Sequence, residues 1–191
     1  MTFSHWPEVA DIQSIVFGID KPCKSIHVYL HGAGGFGSGY EGQYAFPDFA
    51  SLLRDEEIEL EQPFIVACCM QGEYWDVNRL IPYLEYLSLQ FNGADIDIMG
   101  YSRGGVGVYE LLAAGGRFQS ATIINSRPTS PFSFPHIPIH IIHATDDQRT
   151  PIQTIEAFTS VSGNQLTQFT AWQGDHFSIA EIAKSKIWCP V

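Results

Sequence analysis

Positive charge is scarce in this chain: 10 Lys and Arg stand against 21 Asp and Glu, a net charge of −11 over 191 residues. No basic cluster forms, so the footprint that a phosphate backbone requires is missing, and nucleic acids and anionic membrane surfaces are poor partners. Long apolar runs are missing as well. The uncharged stretch 128–145 holds four prolines and the stretch 157–174 is largely polar, so no membrane span is expected. Met1 to Glu8 shows no basic start followed by an apolar run, which speaks against a secretory signal. Cysteine is sparse: Cys23, Cys68, Cys69 and Cys189 have neither C-x-x-C spacing nor the density of a disulfide scaffold. Reduced thiols in a cytoplasmic protein are the plain reading. There is no internal repeat, low-complexity tract or linker, so one domain over residues 1–191 is expected. At this length roughly 70% of the unfolded chain's surface can be buried, enough for a core without staples.

What is present is an alternation of apolar runs with helical patterns. Strands are expected at 25–31, 63–70, 95–99, 121–125, 137–143 and 166–172, with a possible edge strand at 12–18. Helices are expected at 46–54, 77–90, 106–114, 151–159 and 178–188. Such an alternation specifies an α/β domain with a mainly parallel sheet covered on both faces. Ligands then sit at the carboxyl ends of the strands, so the loops that follow strands carry the chemistry.

Three of those loops hold what nucleophilic catalysis needs. Gly100-Tyr-Ser-Arg-Gly104 is a G-x-S-x-G between a strand and a helix, where a sharp turn presents Ser102 at a helix N-terminus. The extra glycines Gly105 and Gly107 cost the helix about 1 kcal/mol each relative to alanine, which implies close packing against the strand. His31-Gly-Ala-Gly-Gly35 lets backbone amides point at a ligand, and it lacks the Lys-Ser/Thr ending of a nucleotide loop. The amides of Ala33 and Arg103 are assigned to an oxyanion hole, with Gly34 as the alternative to Ala33. His176 follows the last strand and is the candidate base, oriented by Asp146 or Asp147. The chain order is serine, acid, histidine. Trp75 and Tyr101, each just after or at the end of a strand, are taken as substrate contacts, the alternative for Tyr74 and Trp75 being that they cover core. No HExxH motif is present and the histidines lack metal-ligand spacing, so neither a metal nor a cofactor is expected.

These residues together resemble the α/β-hydrolase superfamily, from about Ser25 to the C-terminus. Within it the chain is most similar to small lidless esterases: carboxylesterases, acyl-protein thioesterases and related peptidase-like esterases. In that group the acid stands in an H-G-x-x-D-x-x-V-P segment, and His143-Ala-Thr-Asp-Asp-Gln-Arg-Thr-Pro151 matches it with Asp147 in the acid position. Ala144 and Thr150 are the departures. The elbow of the group commonly reads G-x-S-M-G-G, whereas Arg103 stands here in the methionine position, free to pair with a buried acid or an anionic substrate group. The resemblance implies a three-layer α/β/α sandwich with about six or seven strands, the short N-terminal segment leaving no room for the usual eight. Only Ser126 to His136 separates two neighbouring strands where larger relatives build a cap, so an open site is expected. The implied activity is a serine hydrolase acting on a small-molecule ester or thioester through an acyl-enzyme. The alternative is a catalytically idle member serving as a binding or scaffold protein. Oligomeric state is not written in the sequence.

Overall fold

The structure, a computed structural model, describes residues 2–21, 23–129, 133–155 and 167–188. Its strands are β1 (Phe3–Val9), β2 (Ile12–Phe17), β3 (Ser25–Leu30), β4 (Phe64–Cys69), β5 (Asp95–Tyr101), β6 (Ser120–Ile124), β7 (Ile139–Ala144) and β8 (Thr167–Trp172). They form one sheet in the order β1-β2-β4-β3-β5-β6-β7-β8. The β1–β2 and β2–β4 pairs are antiparallel and all others parallel. Helices α1 (Gly39–Gln43), α2 (Phe49–Arg54), α3 (Val77–Gln90), α4 (Arg103–Ala113) and α5 (Ile179–Ser185) connect and follow them.

The apolar runs explain the layers. In a strand successive side chains point to opposite faces, so a run that is apolar throughout must be covered twice. Val28, Leu30, Ile98, Ile123 and Ile141 meet Leu80, Tyr83, Leu84 and Leu87 of α3 and Val108, Leu111 and Leu112 of α4. Their neighbours Tyr29, Met99, Ile124 and Ile142 meet Phe49, Leu52 and Leu53 of α2 and Ile179, Ile182 and Ala183 of α5. The three-layer sandwich expected from the sequence is thus present.

The strand count departs from expectation: among the described residues the sheet has eight strands, not six or seven. Residues 12–18 do not form the edge; β2 lies between β1 and β4. β1 escapes a sequence reading because Phe3–Val9 mixes apolar and polar residues without strict alternation, is half-exposed and contains Pro7, which a strand tolerates only at an edge or bulge. The register against β2 shifts between Trp6 and Val9, where that proline sits. Helix α2 begins at Phe49 rather than 46 because Asp48 caps it, its Oδ1 accepting from Ala50 N at 3.0 Å. The expected helix 151–159 and the start of the strand at 166 fall partly outside the described residues, as does Cys189.

From β3 the chain moves to β4 on one side, and from β5 it moves to β6 on the other. The carboxyl ends of β3 and β5 therefore flank the point where the strand order reverses, which opens a crevice there. Helix α4 leaves that point by crossing the end of β3. A Cβ on Gly104 would lie 1.8 Å from Leu30 O, and one on Gly100 would lie 2.3 Å from the carbonyl of Gly104. Only glycine permits that approach.

Gly104→Ala is expected to lower stability by about 3 kcal/mol or more, since backbone and not a flexible side chain blocks the methyl group; a urea unfolding midpoint equal to wild type contradicts the packing described. Asp48 makes a second prediction. Burial beneath α2 pushes its carboxyl up to about 7, against hydrogen bonds that pull it down. The folded state thus holds this proton more tightly than the unfolded chain, so the group's contribution is greatest below the ordinary carboxylate range and declines as pH rises to about 7. Asp48→Asn keeps the capping oxygen and removes the titration. It is expected to be more stable than wild type at pH 8, on the order of 2 to 4 kcal/mol, and similar near pH 4, read from denaturant curves at both pH values.

Candidate active site

The elbow is built by β5 and α4. Ser102 joins them with φ 53° and ψ −113°, a backbone region that a residue with a Cβ occupies at a cost of about 1–3 kcal/mol. Its neighbours hold it there: Ser102 N donates to Ile124 O at 2.9 Å, and Ser126 Oγ donates to Ser102 O at 2.7 Å. The side chain is thereby lifted over the sheet edge at the N-terminus of α4.

Ser102 Oγ lies 3.0 Å from His176 Nε2, and His176 Nδ1 lies 2.7 Å from Asp147 Oδ2. Residues 74 and 29 positions apart along the chain meet in one hydrogen-bonded line. Asp147 is buried, and its Oδ1 accepts from the amides of Arg149 and Thr150, both at 2.8 Å. Asp146 is exposed and Asp175 turns to the start of the last helix, its Oδ1 accepting from Phe177 N at 2.9 Å. Between the adjacent aspartates, the one bonded to His176 is Asp147.

Four residues given no role from the sequence hold the elbow, the histidine and its acid. Asn125, fully buried after β6, donates from Nδ2 to His176 O at 3.0 Å and accepts from Ala144 N at 2.8 Å. That ties the histidine loop to the end of β7. Ser126 braces the elbow, while Arg149 and Thr150 supply the amides to Asp147. All four follow strands, and position after a strand was the signal available for finding them.

The glycine loop after β3 makes a single 3₁₀ turn, Ala33–Gly35, beside Ser102. His31 locks it: Nδ1 donates to Gly32 O at 2.7 Å and Nε2 accepts from Cys69 N at 3.2 Å, one neutral tautomer satisfying both. Burial lowers the imidazole to about 4, so it stays neutral. Arg103 begins α4, and the first amide of a helix has no acceptor within it. The Arg103 side chain pairs with no acid among the described residues. It stacks on Tyr74 at 4.2 Å and its Nη1 donates to Glu73 O at 3.4 Å.

The expectation for Trp75 is corrected. It is 3% exposed, lies in the core against His31 and Phe36, and donates from Nε1 to His31 O at 3.1 Å. Gly107 makes the room, since a Cβ there would come within 2.7 Å of Trp75 Cβ. Tyr74 holds the exposed position. Tyr101 does reach the site, but its hydroxyl is taken by His176 O at 2.8 Å.

Two depressions meet at Ser102. One, of about 290 Å³, is lined by Ala33, Phe46, Asp48, Arg149, His176 and Phe177 among others. The other, of about 460 Å³, is lined by Tyr74, Arg103, Asn125, Arg127, Arg149 and Thr150 among others. A hollow of about 490 Å³ at the far end of β5, near Leu84 and Phe118, contains no histidine and no part of this hydrogen-bonded line. Among the described residues no group of three His, Cys, Asp or Glu side chains has a metal-ligating arrangement.

No family model matches the sequence, and a search of curated proteins finds no match. Solved structures do. A serine hydrolase homologue from Coxiella burnetii matches with a TM-score of 0.70 at 16% identity, over 98% of each chain. A carboxylesterase from Mesorhizobium loti matches with a TM-score of 0.71 at 14% identity, over the whole of both chains. An esterase from Pyrococcus furiosus matches with a TM-score of 0.71 at 12% identity, over 97% of this chain and 90% of its own. At such identities the likeness speaks for architecture, and architecture alone does not assign an activity. With residues 125–138 too short to build a cap between β6 and β7, the chain has the α/β-hydrolase fold in its lidless form.

Proposed function

We propose that the protein is a serine hydrolase that cleaves small carboxylic esters or thioesters through an acyl-enzyme. The observation that carries this reading is the continuous line from Ser102 Oγ through His176 to Asp147 at the edge of the sheet. His176 Nε2 takes the hydroxyl proton as Ser102 Oγ attacks the substrate carbonyl. The amides of Ala33 and Arg103 receive the negative charge on the tetrahedral oxygen, assisted by the dipole of α4. Collapse breaks the bond to the alcohol or thiol, which leaves with the proton from His176. Water then attacks the acyl-serine while His176 accepts its proton, and the carboxylic acid departs. Asp147 holds Nδ1–H throughout and balances the imidazolium.

Access supports small or surface-presented substrates, since β6 and β7 are joined by the short segment 125–138 alone. A reducing compartment such as the cytoplasm fits the free thiols Cys23, Cys68 and Cys69. No helix among the described residues is long and apolar enough to cross a membrane.

A fluorophosphonate probe is expected to add once to the wild-type protein and not to a folded Ser102→Ala variant, read by intact mass. An unlabelled, well-folded wild type sinks the hydrolase reading and puts the scaffold reading first. Asp147→Asn is expected to lower ester turnover on the order of 10⁴-fold with an unchanged unfolding midpoint, because the wrong tautomer then faces Ser102. Asp146→Asn should stay near wild-type rate, and the reverse pattern moves the acid by one residue.

A further inference from the structure

In a chain with a net charge of −11, three of the six arginines line one cleft: Arg103, Arg127 and Arg149. No Asp or Glu is among the residues lining it. Beside it Glu110 accepts from Thr129 Oγ1 at 3.4 Å, and the carboxylate of Asp147 is taken by His176 and by the backbone amides of Arg149 and Thr150. Elsewhere Arg54 pairs with Asp55, Arg79 with Asp11 and Asp76, and Lys184 with Glu57. None of the three cleft arginines pairs with a carboxylate among the described residues. Two of them are oriented by aromatic rings: Arg103 lies over Tyr74 at 4.2 Å and Arg149 over Phe177 at 5.0 Å. Stacking occupies the face of a guanidinium and leaves its N–H edge for an anion. Arg127 is exposed and makes no hydrogen bond or ion pair among the described residues. Three like charges lining one cleft with no ion pair of their own among the described residues repel one another, and an anion placed among them relieves that repulsion.

The two depressions differ in character, and Ser102 stands between them. His176 lines the one with Phe46, Phe177 and Ile179 and not the arginine cleft, while Arg149, stacked on Phe177, lines both; Arg103 and Arg127 line the cleft alone. A leaving group must reach His176 Nε2 to take its proton, so it falls on the apolar side. The acyl part is then directed into the cleft.

We infer that the preferred substrate is an ester with an anionic acyl group, a monoester of a short dicarboxylic acid, whose free carboxylate is held by Arg127 and Arg149 beside Arg103. This rests on the hydrolase reading above. Hydrolysis adds water across the acyl C–O bond, releases the alcohol from the apolar side and leaves a dicarboxylate in the cleft.

The test compares monoethyl adipate, ethyl hexanoate of equal acyl length, and 2-sulfoethyl hexanoate with its charge on the alcohol side, by proton release. The expected result is a kcat/KM about tenfold higher for monoethyl adipate than for ethyl hexanoate at low salt. That preference shrinks as ionic strength rises, and it falls to about twofold or less in Arg127→Gln and Arg149→Gln. Binding of monoethyl adipate to Ser102→Ala by calorimetry, weakened by adding Arg127→Gln, gives a readout without turnover. Turnover of ethyl hexanoate with no preference for monoethyl adipate, or a preference untouched by both arginine variants, overturns the inference and leaves the hydrolase reading standing. A preference for 2-sulfoethyl hexanoate overturns the acyl-side assignment. Binding of monoethyl adipate without turnover of any ester sinks the hydrolase reading instead, and absence of both sinks the two together.

Discussion

Helix α4 approaches the end of β3 so closely that only glycine fits between them, and the site depends on that approach. Leu30 O stands where a Cβ of Gly104 would be, so the helix can start directly above the strand. That start forces Ser102 to φ 53°, and the strained turn aims its hydroxyl away from the sheet. The strain persists because the neighbours over-determine it, with Ile124 O holding one end of the peptide and Ser126 Oγ the other. A nucleophile on an ordinary helix or strand would lie flat against the core.

The second layer of order is polar and mostly neutral. Asn125 and Tyr101 both bond the carbonyl of His176, so the histidine loop is held from two strands that are adjacent in the sheet. His31 stays uncharged in the core and gives one nitrogen to the glycine loop and the other to β4. Each of these groups has its partners, which is the condition for keeping polar atoms in a dry interior. Precision at Ser102 and His176 thus comes from side chains that need not touch a substrate.

Around that rigid centre the surface is divided. The more apolar depression takes its walls mainly from the glycine loop, the segment before α2 and the start of the last helix, the cationic cleft is walled by the loops after β4, β6 and β7, and Arg149 stands at the boundary of the two. The division places opposite preferences on the two sides of one carbonyl carbon. An acidic protein that gathers half of its arginines at its nucleophile attracts anions locally while repelling them in bulk.

Much of this was legible in the chain itself. The helix over 77–90 appears with the expected bounds, because its apolar spacing and its Asp76 cap are local signals. Ser102, Asp147 and His176 were readable as candidates, since each follows a strand and stands in a recognisable short pattern. What the sequence could not determine were features that depend on distant partners. Phe3–Val9 becomes a strand only because β2 offers it an edge, and Trp75 is buried only because Gly107, on another element, leaves room. The choice between Asp146 and Asp147 turned on which carboxylate faces a histidine 29 residues away. Sequence alone determined the layered α/β architecture and the kinds of residue at the sheet edge, through periodicity and turn chemistry that act over a few residues. Tertiary structure decided which of them meet, and that three arginines separated by 24 and 22 positions line a single cleft, because packing brings together what the chain holds apart.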